Sequence, residues 1–498
     1  MTPDNAYRAL EQRFRRLSLI GDSLAMLHWD RSVMMPEGGA ASRAEQVAAL
    51  DVLAHELLTA PDMAELLARA AEATSLDTWQ VANLREMRRR FVHASALPGR
   101  LVEARSRACA QSEMAWRDAR PKSDFAALLP FMQRVLDLTR EAAQAKALAL
   151  NCSAYDALLD EYEPGGKAAR IDQLFAELES FLPGLLGQVV EVQARRPAIM
   201  PLEGPFPIEA QRRLGLQMMQ AVGFDFGHGR LDVSLHPFTG GTPDDIRITT
   251  RYDEDDFARA LMGVLHETGH AMYEAGLPAA WRHQPVGTAR GMTVHESQSL
   301  LLEMQACRSR EFVDFAAPKM REAFGRDGAA WRADNIARLY TRVSPSLVRV
   351  DADEVTYPLH VILRYRLERA LIGGDMKLAD LPGAWNEGFK RYLGIAPPDD
   401  RLGCLQDIHW PDGAWGYFPT YTLGALAAAQ LFAAACAADA DIKPGIARGD
   451  FAPLYAWLRA NVHSLGSLLS SDQLLERATG SPLGTTAFRR HLEARYLG

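Results

Sequence analysis

Phe257-Ala-Arg-Ala-Leu-Met-Gly-Val-Leu265 leads directly into His266-Glu267-Thr268-Gly269-His270. The apolar residues of the first segment recur at helical spacing, so the pentapeptide continues a helix. Four residues apart on that helix, His266 and His270 share a face, and both imidazoles can reach one metal ion. Glu267 can then face an open coordination position and take a proton from a water there. A plainer reading competes: two histidines satisfied inside a helical core. Gly269 costs about 1 kcal/mol relative to Ala within a helix, which points to a close neighbour at that position.

A catalytic zinc takes a third protein ligand. The metzincin pattern needs Gly at 273 and His at 276; this chain has Tyr273 and Gly276, which excludes that class. Glu274 drifts round the helix and is better suited to hold a ligand than to be one. The third-ligand candidate is Glu296 in His295-Glu296-Ser297-Gln298, with His295 and Glu303 as competitors. This second helical segment follows the loop Pro285–Gly291, which is long enough to let it fold back antiparallel.

Outward from this centre the first two hundred residues read as successive amphipathic helices: Tyr7–Leu27, Ser42–Ala60, Trp79–Ser95, Leu101–Asp118, Phe125–Leu150 and Asp172–Ala194. Pro197–Pro207 reads as a linker between a helical half (1–196), expected to wall a substrate groove, and a catalytic half (208–498), the whole forming one catalytic unit. Two alternating runs, Arg230–Leu235 and Asp245–Thr250, predict a β-hairpin turning at Phe238–Pro243, whose edge could hold an extended peptide. Helices then return, Tyr357–Ile372 and Ala379–Leu393 most plainly, and Gly394–Tyr421 is loop-rich.

Composition narrows the classes. Hydrophobic residues at 48% and charged ones at 24% suit a globular core, and 55 Lys+Arg against 63 Asp+Glu leave a net charge of −8. That balance suggests neither a nucleic-acid partner nor an anionic membrane surface. Tyr421–Ala438 is apolar but short of about 20 residues and has no basic flank, so it reads as a buried helix. Five scattered cysteines without C-x-x-C spacing and a charged start without an apolar signal core lead to the expectation of a cytoplasmic protein.

Further motifs carry a resemblance. Beside H-E-x-x-H and H-E-S-Q stand Trp29-Asp30 with Met35-Pro36, His236-Pro237-Phe238, Asp245-Ile-Arg247-Ile-Thr249, Arg349-Val-Asp-Ala-Asp353 and Gly403-Cys-Leu-Gln406-Asp407-Ile-His409-Trp410. In this order the chain resembles the carboxypeptidase Taq family of metallocarboxypeptidases, from about residue 29 to 421. The resemblance implies a predominantly all-α, two-lobed fold with a deep groove and a small sheet beside the motif helix. It implies Glu296 as third ligand, zinc or cobalt as metal, a homodimer, and broad action on short peptides that disfavours C-terminal Pro. An endo-acting oligopeptidase of the same helical zinc class is the alternative.

A carboxypeptidase needs a cation for the substrate's terminal carboxylate, and an Arg fork suits both oxygens. Arg349 is the first candidate, against structural pairing with Asp351 or Asp353. Arg247 is the second, against pairing with Asp245. His236, His409 and Tyr421 are candidate donors to an oxyanion or to substrate backbone, and Asp353 and Asp407 are candidate orienting acids.

Overall fold

The computed structural model describes residues 1–498. It is a body of 20 α-helices with one small sheet. The helices expected in the first half are present, most of them longer than periodicity alone indicated: Pro3–Val33, Ala40–Leu58, Thr78–Ser95, Gly99–Lys122, Phe125–Leu150 and Ala168–Arg195. Caps explain several of the starts. Thr2 accepts from Asn5 N, Asp77 and Gln80 form a reciprocal capping box, and Asp124 accepts from Ala127 N. Two short helices, Met63–Ala70 and Ala154–Leu159, were too brief to show a period.

One apolar core runs from Ala119 to Tyr496, while a smaller cluster joins the first helix, through Tyr7, Leu10 and Phe14, to Met63–Ala70. The Pro-rich linker carries no helix or strand but is pinned at both ends. Asn335 exchanges hydrogen bonds with the Met200 backbone, and Phe206 is buried among Phe257, Phe324 and Trp331.

The sheet differs from the expected hairpin. Its strands are β1 (Gly229–Val233), β2 (Thr239–Thr242) and β3 (Asp245–Thr250), in the order β1-β3-β2. β1 pairs parallel with β3, and the segment read as a turn is itself a strand, antiparallel to β3 across a tight Pro243-Asp244 connection. Thr239-Gly-Gly-Thr242 has no apolar alternation to betray it, since two of its residues lack side chains. Asp245–Thr250 is therefore central and buries Ile246 and Ile248, while β1 and β2 are the edges.

The apolar helix, Pro419–Ala438, is long and apolar enough to cross a membrane, yet it packs inside the core with Leu423, Leu426, Ala427 and Leu431 buried. All five cysteines are unpaired.

Candidate metal centre

The motif helix, Phe257–Gly276, starts at Asp256, whose carboxylate accepts from Arg259 N. It is buried over most of its surface because β3, the Ile208–Val222 helix and the Glu296 helix, Met292–Leu300, all pack against it. Gly269 sits at the crossing: a Cβ there would lie 2.6 Å from Gln298 O and Ser299 Cα. The close neighbour expected from this glycine is the backbone that carries Glu296. The start of the Glu296 helix is held from the first half of the chain, with Met292 N donating to Tyr162 O (2.7 Å) and Thr293 N to the Glu163 carboxylate (3.0 Å). On its other side Gly424 of the apolar helix fits against Glu296, where a Cβ would come within 2.7 Å of the Glu296 Cβ.

These contacts bring His266, His270 and Glu296 to one point, with one donor atom from each within 4.8 Å of the others. Nε2 of His266 lies 4.0 Å and Nε2 of His270 3.7 Å from the Glu296 carboxylate. Both Nδ1 atoms are engaged elsewhere. His266 Nδ1 meets Glu303 at 2.9 Å, and His270 Nδ1 meets His295 Nδ1 at 2.6 Å. His295 Nε2 lies 2.8 Å from Glu274, so a neutral His295 donates there and accepts from His270. The Nδ1 atoms being engaged, the Nε2 atom of each ring is the one that faces Glu296. His295 and Glu303, the competing ligands, occupy supporting places, and Glu274 acts one residue further out.

The electrostatics suit a cation. Burial alone would lower the pKa of His266, but the hydrogen bond to Glu303 and the charges of Glu296 and Glu303 raise it to about 10. His270 is pushed well below the usual histidine value by burial and by the neighbouring His295 and His266. Burial raises Glu267 and Glu296, carboxylates gathered round two imidazoles with no Lys or Arg bound to either. Two imidazole nitrogens and a carboxylate form a donor set suited to zinc. Glu267 is not one of the converging groups: it accepts a hydrogen bond of 2.7 Å from Thr239 of β2.

Across from the Glu296 helix, Tyr421 lies one turn before Gly424, with Tyr417 and Tyr357 beside it at ring separations of 5.1 and 6.2 Å. Burial raises all three phenols, and the Glu296 charge contributes at each. His409 Nε2 is 3.3 Å from Tyr421 Oη, and burial lowers this imidazole to about 4, so it is neutral at pH 7.

Arg349 is buried, but not against either acid expected from the sequence. Nε and Nη2 reach Asp407 at 3.1 and 2.9 Å, Nη1 reaches Tyr357 Oη at 3.2 Å, and the Tyr421 ring lies 4.9 Å away. Asp351 pairs instead with Arg259, and Asp353 accepts from the Ser344, Val355 and Thr356 amides. Asp407 is shared with Arg364, which is wholly buried, and burial's upward pressure on this carboxyl is overwhelmed by the two guanidiniums, which hold it far below the usual range. Arg247 is held by Asp245 (2.7 Å) and stacks 4.4 Å from the Trp29 ring. His236 is exposed, and its side chain joins none of these groups.

Thr239, Tyr357, Tyr417 and Arg364 were not singled out in the sequence. Arg364 alone left a signal, as a charge within the apolar run Leu359–Leu367. Glu368, one turn on, is also wholly buried and accepts from Tyr155 Oη, Trp410 Nε1 and Gly416 N. Burial raises its carboxyl from 4.5 to about 7, the three donors opposing without cancelling it. The folded chain thus keeps a proton that the unfolded chain releases near pH 4.5. The associated stability is full below that value and is lost as the pH rises through about 7, to a total of about 3 kcal/mol. Urea denaturation between pH 5 and 8 should show a steeper loss in the parent than in Glu368→Gln; parallel profiles would contradict it.

A helical body that gathers two histidines and a glutamate at one buried point, with another carboxylate beside them, is that of a metallopeptidase. The chain belongs to the carboxypeptidase Taq (M32) metallopeptidase family, whose model matches residues 9–496. It is 41% identical over 508 aligned positions to Thermostable carboxypeptidase 1 of Thermus thermophilus, covering 100% of this chain and 99% of that one. It is 35% identical to Thermostable carboxypeptidase 1 of Pyrococcus furiosus, over 97% of each. Among solved structures, Trypanosoma cruzi metallocarboxypeptidase 1 superposes with a TM-score of 0.97 at 41% identity, covering 99% of this chain and 100% of that one. The M32 carboxypeptidase of Deinococcus radiodurans gives 0.94 at 36%, over 99% of each. The protein is a metallocarboxypeptidase, and these full-length matches favour that activity over the endo-acting alternative.

Proposed function

We propose that this metallocarboxypeptidase uses zinc, with cobalt able to substitute, held by His266, His270 and Glu296, and removes single C-terminal residues from short peptides. The observation that carries the assignment is the convergence of those three side chains while His295 and Glu303 hold the far nitrogens of the two histidines. When bound, the metal would polarise the attacking water and the scissile carbonyl. Glu267 takes the water's proton and returns it to the leaving amine. Tyr421, kept protonated by burial, donates to the oxyanion, with His409 orienting its hydroxyl. His236, on the segment between β1 and β2, would contact substrate backbone.

Arg349 binds the terminal carboxylate. A guanidinium has five N–H donors, and Asp407 and Tyr357 engage three of this one, so two remain for a ligand. Arg247, committed to Asp245 and Trp29, supports the sheet and contributes to substrate binding only through it. Assembly as a homodimer and residence in the cytoplasm complete the proposal; the resemblance supports the first, and five unpaired cysteines are compatible with the second.

The ligand assignment is tested by metal content after dialysis against a weak chelator. Glu296→Ala should empty under conditions that leave the parent loaded. His295→Ala and Glu303→Ala should still bind metal, with affinities roughly ten- to a hundredfold weaker, as expected for loss of a partner behind a ligand. A loaded Glu296→Ala beside an emptied Glu303→Ala or His295→Ala would transfer the third-ligand role.

A further inference from the structure

Beyond Leu300 the Glu296 helix does not continue as an α-helix: Leu301–Ala306 forms a π turn, closed by Cys307 N donating to Leu302 O at 2.8 Å. Such turns are rare and concentrate at functional sites. This one carries Glu303, the residue on His266 Nδ1, which Arg308 also grips at 2.6 Å. After Ala306 the chain breaks into a bend and restarts at Ser309, which caps the next helix. The Met304 and Gln305 carbonyls therefore end a helix in the protein interior, where an unpaired carbonyl costs free energy.

Both are satisfied by one side chain from the far end of the sequence. Arg495, on the C-terminal helix Thr486–Tyr496, donates from Nη1 to Met304 O (2.5 Å) and from Nη2 to Gln305 O (3.1 Å). The guanidinium is fixed from behind by Glu354 at 2.7 Å, which also accepts from Tyr496 Oη (2.8 Å) and contacts His491 Nε2 (3.0 Å). The helix has its own apolar anchors in Phe488, Leu492 and Tyr496, so Arg495 is not needed merely to dock it.

We propose that Arg495 is a positioning residue for the metal centre: by clamping the Met304 and Gln305 carbonyls it fixes the π turn that aims Glu303 at His266. The proposal rests on His266 being a metal ligand. It makes the last turn of the chain part of the support of a site whose ligands end at residue 296.

The test is the zinc dissociation constant of the full chain in metal buffers, with apo-protein Tm measured alongside. Arg495→Met should weaken zinc roughly tenfold or more. Arg495→Lys, which folds if the charge beside Glu354 suffices, should recover part of the loss. Leu492→Ala should lower Tm by opening a cavity yet leave zinc affinity within about threefold of the parent. Because Arg495 acts through Glu303, adding Arg495→Met to Glu303→Gln should weaken zinc far less than it does in the parent. Unchanged zinc affinity in Arg495→Met, equal weakening in Leu492→Ala, or additive effects with Glu303→Gln would each overturn the proposal. His266→Ala separates this from failure of the ligand assignment: parent-like zinc binding in that variant would sink the assignment itself, whatever Arg495 does.

Discussion

Glu267→Gln is expected to bind zinc as the parent does and to hydrolyse peptides roughly a thousandfold more slowly or worse. The two side chains match in shape, and the amide oxygen can still accept from Thr239 Oγ1, which holds the native carboxylate at 2.7 Å. What the substitution removes is the capacity to take a proton. Metal content should survive because Glu267 is not among the converging donors, although it neighbours His266 in sequence. Thr239→Val gives a useful contrast. It leaves the base in place but unties it, so its loss of kcat should be far smaller than that of Glu267→Gln. A correctly folded Glu267→Gln that loses its metal would make Glu267 a ligand and leave the general base to be found elsewhere.

The parts of this centre that were legible in the sequence are those set by local geometry. His266 and His270 face the same way because a helix makes them do so, and Gly269 announced a close neighbour because its cost within a helix demands a return. The supporting acids were legible only in part: Glu274 and Asp407 read as orienting groups, but the side chain that each holds did not. Glu303 reaches His266 from 37 residues away, and Asp407 reaches Arg349 from 58, separations that no periodicity encodes. The acids adjacent to Arg349 in sequence turned out to be the wrong partners. Asp353 is consumed by backbone amides at the start of the Tyr357–Gly373 helix, and Asp351 points to Arg259. The sheet was misread for a related reason. Alternation located β1 and β3 correctly, but pairing is a tertiary property, and the glycines of β2 erased the only local signal for the strand that joins β3 and carries Thr239.

Removing Arg349 should produce a loss that depends on the substrate's C-terminus. A charge-assisted hydrogen bond contributes about 1.5–3 kcal/mol, so Arg349→Ala should lower kcat/KM on a free-acid peptide by roughly ten- to a hundredfold. The same peptide amidated at its C-terminus, a poor substrate for the parent, should suffer little further. Arg349→Lys should recover part of the loss on the free acid, because a point charge lacks the fork. The surroundings make the substitution interpretable. Asp407 keeps Arg364 at 2.6 Å, so the variant does not strand a buried carboxylate without a cation, the circumstance that makes truncating a buried pair so damaging. Position separates Arg349 from the other buried or paired arginines: Arg247 lies on β3 against Asp245 and Trp29 and Arg290 pairs with Glu86 at 2.9 Å, whereas Arg349 lies 4.9 Å from the Tyr421 ring. Parent and variant are compared on both peptides, with metal content and Tm measured for each protein. Equal fractional losses on free acid and amide would mean that Arg349 only braces Asp407 and Tyr357, and that the terminal carboxylate is bound by another group.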